Sequence, residues 1–227
     1  MRRIAVLLGL LAAAVAASAS PALATNECKG LQVCVPVAGP WVLAAPGRVE
    51  FQLACPKRFI VGGLDAELTS RGIDVGFVGS LGSPVNPGIT TAKEAVFLGR
   101  LVRGRDPAPA FRPHIGCVPA SGGGQRAPTA YRPTAYRAFA PGKPSARRVS
   151  QVAVHAGSTR RFTTRCGRGE HLVAATHAIG FPGETPPSVA TARSVRVTQR
   201  VHAGRVALTI HAGARALVQV DLVCGAR

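Results

Sequence analysis

Residues 41–68, WVLAAPGRVEFQLACPKRFIVGGLDAEL, align without a gap on residues 152–179, VAVHAGSTRRFTTRCGRGEHLVAATHAI. Phe51 and Cys55 fall on Phe162 and Cys166, and the turn pair Pro46-Gly47 falls on Gly157-Ser158. Each stretch is followed by one more cysteine, Cys117 after FRPHIG and Cys224 after VQVDLV. Six cysteines allow 15 pairings, and spacing alone cannot choose among them. The repeat can. If each copy closes on itself, the bridges are Cys55–Cys117 and Cys166–Cys224, which leaves Cys28 and Cys34 as a local pair.

The residues between the cysteines alternate with a period of two. Val195, Val197 and Val201 share one parity, and Arg196, Thr198 and Arg200 the other. Val206, Leu208 and Ile210 alternate with Arg205, Ala207 and Thr209, and Val218, Val220, Leu222 and Cys224 share a parity. Phe51, Leu53 and Cys55 do so too, as do Phe111, Ile115 and Cys117. This is the signature of half-buried strands. The cysteines lie on the apolar side, where a thiol is structural rather than reactive. Ala203-Gly204 and Ala212-Gly213 add turn signals at strand-length intervals. No helical periodicity extends over ten residues. With 26 Gly and 18 Pro the composition excludes a mainly helical protein. The expected fold is all-β: two tandem antiparallel β-sandwich domains, residues 25–117 and 149–227, each with an internal disulfide.

Between them, residues 118–148 hold SGGG, six basic residues and no acidic one. They also carry a tandem PTAYR-PTAYR with both tyrosines of the chain. The composition predicts an extended Pro/Arg-rich linker. At the other end, Arg2 and Arg3 precede an apolar run that closes on Ala22-Leu23-Ala24. Residues 1–24 therefore read as a signal peptide. No other stretch is long enough to span a bilayer, and export suits a disulfide framework. The expected location is secreted, extracellular or cell-wall associated.

Catalytic motifs are missing: there is no G-x-S-x-G, H-E-x-x-H, C-x-x-C or P-loop. An acid/base pair could be drawn from Asp65, Glu67 and Asp74, although strand-end and turn positions explain them as well. Five of six histidines lie in the second half: His155, His171, His177, His202 and His211. Three of them begin H-A-G triplets, which read as strand ends followed by turns. Their spacing does not bring ligands to one point, so no metal or cofactor is expected.

The charge is more informative. The chain carries 28 Lys+Arg against 10 Asp+Glu. Residues 149–227 have 10 basic and 3 acidic side chains. Arg161 and Arg165 share the polar parity of one strand, and Arg196 and Arg200 that of another. If those strands share a sheet, the second half has a basic face that attracts polyanions. Arg132 and Arg137, beside Tyr131 and Tyr136, extend the charge into the linker. The expected partner is an anionic cell-wall polymer or polysaccharide, and a specific nucleic-acid target is disfavoured for an exported chain. Two further readings stand beside this one: a structural envelope protein without a ligand, and an enzyme or metal-binding protein using the His-rich half.

The segments CKGLQVCVPVAGPWV and FQLACPKRFIVGGLDAEL resemble exported actinobacterial proteins that carry no assigned function. The likeness covers mainly residues 26–68. It implies export and a disulfide-stapled fold, and it transfers no functional residue.

Overall fold

A computed structural model of the chain describes residues 26–31, 33–78, 93–104, 106–120 and 145–226. Residues 1–24, expected to be a signal peptide, and residues 121–144, with Arg132 and Arg137, lie outside the described residues.

The fold is all-β. Seven strands come from the N-terminal half: β1 (Val35–Ala38), β2 (Trp41–Leu43), β3 (Val49–Ala54), β4 (Phe59–Leu68), β5 (Ile73–Val78), β6 (Glu94–Leu101) and β7 (Ala110–Pro119). The C-terminal half supplies β8 (Ser145–Val154), β9 (Ser158–Arg165), β10 (Glu170–Phe181), β11 (Val195–His202), β12 (Arg205–Ala212) and β13 (Ala216–Ala226). A short helix, α1 (Val189–Arg193), precedes β11, in a stretch without helical periodicity. The Ser188 hydroxyl caps it by accepting from the Thr191 N–H.

The halves follow the same strand order. In one, β3-β6-β5 form a three-stranded sheet, while β7 pairs with β4 on one side and with β1 and β2 on the other. In the other, β9-β12-β11 form a three-stranded sheet, while β13 pairs with β10 and β8. All these pairings are antiparallel. The two larger layers are not separate. β2 pairs with β7 through Val42 and Leu43, and with β10 through Trp41 and Val42. One seven-stranded sheet therefore runs through both halves.

Each small sheet covers its large one with apolar side chains. Phe51, Ile73 and Phe97 pack with Val61, Phe111 and Ile115 in the N-terminal half. Val206, Leu208 and Ile210 pack with Val152, Val218, Val220 and Leu222 in the C-terminal half. The cores trade residues where the halves meet. Trp41 and Ala110 belong to the C-terminal cluster, and Ala178 to the N-terminal one. Trp41 is thus more than a cover at the edge of its own half. Its indole N–H donates to the Glu184 carbonyl at 3.2 Å.

The three disulfides are Cys28–Cys34, Cys55–Cys117 and Cys166–Cys224, as the repeat requires. Both ends of the expected linker 118–148 are strand: β7 continues to Pro119 and β8 starts at Ser145. Arg147 and Arg148 are therefore sheet residues and not linker charge.

The junction is polar as well as apolar. Gln219 on β13 is buried, and its side-chain oxygen accepts from the Gln52 N–H at 2.5 Å. Its NH₂ donates to the Gln52 carbonyl at 2.9 Å. One side chain thereby satisfies both backbone groups of a residue on β3, which pairs with β6 alone. Beside it, Arg147 bonds both Glu50 and Asp221, and Arg48 pairs with Glu50 at 2.8 Å. Burial pushes the Asp221 carboxyl up to about 6; Arg147 opposes the rise and Glu50 adds to it.

Candidate functional site: an arginine-threonine face

The sheet β11-β12-β9 turns Val206, Leu208, Ile210 and Ala212 inward. Its other face is set by parity alone. Pairing places Arg196, His211 and Thr159 in one cross-strand row. Thr198, Thr209 and Arg161 form the next, followed by Arg200, Ala207 and Thr163. The last row is His202, Arg205 and Arg165. Eleven of these twelve positions are exposed, and Thr209 is half-buried. Directly opposed residues on neighbouring strands stand about 5 Å apart. Rows follow each other at about 6.7 Å, twice the rise of a strand residue. The face is therefore about 20 Å long.

The four arginines singled out from sequence, Arg161, Arg165, Arg196 and Arg200, stand on this one face, and Arg205 joins them. The row positions include no carboxylate. Among the described residues, none of the five arginines takes part in an ion pair. Two of the three acids of this half are used elsewhere. Glu170 is buried and accepts from Arg148, with the Gly167 N–H also donating to it at 2.7 Å. The Arg148 hydrogen bond holds the Glu170 carboxyl below its ordinary value. Asp221 is bound to Arg147. Two arginines from the start of β8 thus neutralise acids on the remaining strands, and the outer face keeps its full charge.

The β11–β12 hairpin that carries half of the face closes on two residues, Ala203 at φ 48° and Gly204 at φ 72°. Both angles are left-handed, as a two-residue type I′ turn requires. The turn locks the register and hence the row His202–Arg205–Arg165. On the inner side, Gln199 ties β11 to β10: its NH₂ donates to the Ala175 carbonyl at 3.0 Å, and His177 Nδ1 lies 2.8 Å from its oxygen.

The histidines of this half are spread over the fold. His211 Nδ1 lies 3.0 Å from the Thr159 hydroxyl, His171 packs over Gly225, and His155 is exposed at the end of β8. Among the described residues, one group brings three ligand atoms together, Cys166, Glu170 and Cys224. Its sulfurs are joined to each other and offer no thiolate. A shallow cleft beside α1, lined by Phe181, Pro187, Thr191 and Arg215, holds a single titratable side chain.

The N-terminal half contains a cluster that sequence reading passed over. His114 is buried on β7, with Nε2 2.7 Å from Glu67 and Nδ1 3.6 Å from Glu27. Arg112 lies 3.7 Å from the same Glu67 oxygen. Asp65 accepts from the Asn26 N–H at 2.6 Å. Of the three carboxylates first considered for acid/base work, Asp65 holds Asn26, just before the Cys28–Cys34 loop, and Glu67 engages His114 and Arg112 on β7. Asp74 lies exposed, 3.9 Å from Arg100. The only signal in the sequence was a histidine inside the apolar run FRPHIGC.

No protein-family model and no curated protein matches this chain. No helix among the described residues is long and apolar enough to cross a membrane.

Proposed function

We propose that this is an exported, non-enzymatic envelope protein that retains anionic polymers on the arginine face of β11, β12 and β9. The observation that carries the reading is the ladder register. It gathers Arg161, Arg165, Arg196, Arg200 and Arg205 on one exposed face without a carboxylate. Separated cations in water each contribute little, but their sum attracts a polyanion strongly and is weakened by salt. Arg132 and Arg137 would add to this charge from the segment between the halves. Export rests on residues 1–24 and fits a chain whose six cysteines are all paired. The corresponding strand orders of the halves support descent from a doubled unit. In that reading each copy is a small sandwich with its own bridge, and the two have since fused through β2.

The test is retention on heparin or isolated cell wall. The protein lacking residues 1–24 is expected to bind at low salt and elute as salt is raised. Charge reversal at Arg161, Arg165, Arg196 and Arg200 should abolish retention. Retention that survives the reversal would refute the reading.

A further inference from the structure

Charge alone does not say which polyanion lies on this face; the uncharged positions do. Each of Arg161, Arg196 and Arg200 has a threonine two residues away on the same strand. Arg161 lies between Thr159 and Thr163, and Thr198 lies between Arg196 and Arg200. Thr209 sits at the centre, flanked across the ladder by Thr198 and Arg161. Ala207, the smallest side chain of the face, lies beside it in the next row and lets a chain approach the backbone. Guanidinium forks and hydroxyls therefore alternate along β9 and along residues 196–200 of β11.

Phe, Tyr and Trp are absent from the twelve positions, and the only rings are His211 and His202, in the two end rows. A single-stranded nucleic acid therefore finds no aromatic platform for its bases along the two middle rows, and a sugar ring finds no aromatic partner there. A bilayer would need apolar or aromatic anchors beside the cations, and the face supplies none.

We infer that the occupant is a linear polymer of acyclic polyol units joined by phosphodiesters, lying along the strands. Arginine forks take the phosphodiester oxygens two at a time, and the threonine hydroxyls bond the polyol hydroxyls between them. The inference rests on the polyanion reading and narrows it to one chemistry.

The probes are poly(glycerol phosphate), heparin, single-stranded and duplex DNA, and phosphatidylglycerol vesicles, matched in total charge. Poly(glycerol phosphate) is expected to compete best and to stay bound to the highest salt. The double variant Thr198→Val, Thr209→Val keeps the β-branched shape and the charge. It should weaken binding to poly(glycerol phosphate) roughly tenfold, the loss of one to two hydrogen bonds, and leave heparin elution unchanged. An unchanged melting temperature of the variant would establish that the loss is not one of folding. Should heparin, DNA or vesicles compete as well or better, or should the threonine variant bind like the parent, the polyol assignment is wrong while the polyanion reading stands. Should none of the probes bind at low salt, both fall.

Discussion

Arg165 and Arg205 stand directly opposite each other on β9 and β12, both exposed. Like charges placed so in a ladder oppose folding by about 0.2–1 kcal/mol. The arrangement is costly for the fold and useful for holding an anion. Arg205→Thr should raise the melting temperature at low salt, and the gain should shrink as salt screens the pair. Polyanion retention should weaken in the same variant. Calorimetry at two salt concentrations measures the first effect and column elution the second. A variant that is less stable at low salt would contradict the proposed repulsion.

Gln219 serves the junction by capping both backbone groups of Gln52. Gln219→Leu fills similar space and leaves those groups without their partner. Stability should fall by about 1–3 kcal/mol in urea unfolding. Gln219→Glu keeps the acceptor for the Gln52 N–H but loses the donor to its carbonyl, and adds a third carboxylate beside Asp221. It should be worse than Gln219→Leu at neutral pH and should recover in acid.

Asp221 has its carboxyl raised from 3.8 to about 6, first by burial. The folded protein thus holds this proton more tightly than the unfolded chain. The resulting stability is complete below 3.8 and is lost as pH rises through about 6. Asp221→Asn mimics the protonated state at every pH. Melting temperatures of variant and parent should be close near pH 4, diverge between pH 4 and about 6 in favour of the variant, and stay a constant distance apart above that. If the variant loses ground as pH rises, Arg147 outweighs burial and the sign is reversed.

Gly63 and Gly116 lie under the Glu27 carbonyl. An added Cβ would sit 1.8 Å from that oxygen at Gly63 and 2.1 Å at Gly116. Gly63→Ala must push the Cys28–Cys34 loop off β4 and β7. Hydrogen exchange over residues 26–34 should speed up, while β9, β12 and β11 keep their protection. Protection of the loop unchanged in the variant would mean that it is held by other contacts.

The long bridges differ from the short one in what they constrain. Replacing Cys166 and Cys224 together by alanine frees a loop of 58 residues. In the chain-entropy model this costs about 4 kcal/mol, against about 2 kcal/mol for the Cys28–Cys34 loop. Urea midpoints of the two double variants should rank accordingly.

Parity made much of this fold readable. Once Val206, Leu208 and Ile210 are assigned inward, Arg205 and Thr209 must face out, so the arginine side of the strands follows from alternation. The cysteine pairing was readable because the repeat supplied a second copy as a control. What parity cannot give is which strands meet. Arg147 and Arg148 read as linker charge because their surroundings are rich in Pro and Arg. Their partners, Glu50, Glu170 and Asp221, lie 22 to 97 residues away. His114, Glu67 and Glu27 likewise carry no common spacing. β2 is three residues long, too short for any periodicity, yet it is the strand that joins the halves. The helix α1 has five residues and announces itself only by a serine cap.

The placement of Trp41 has a consequence for inheritance. Its backbone belongs to the N-terminal half, but its ring is packing material for the C-terminal core. Recombination that moved the C-terminal half alone into another gene would strip that core of an indole beside Phe181. A gene carrying that half by itself would encode an incompletely covered core.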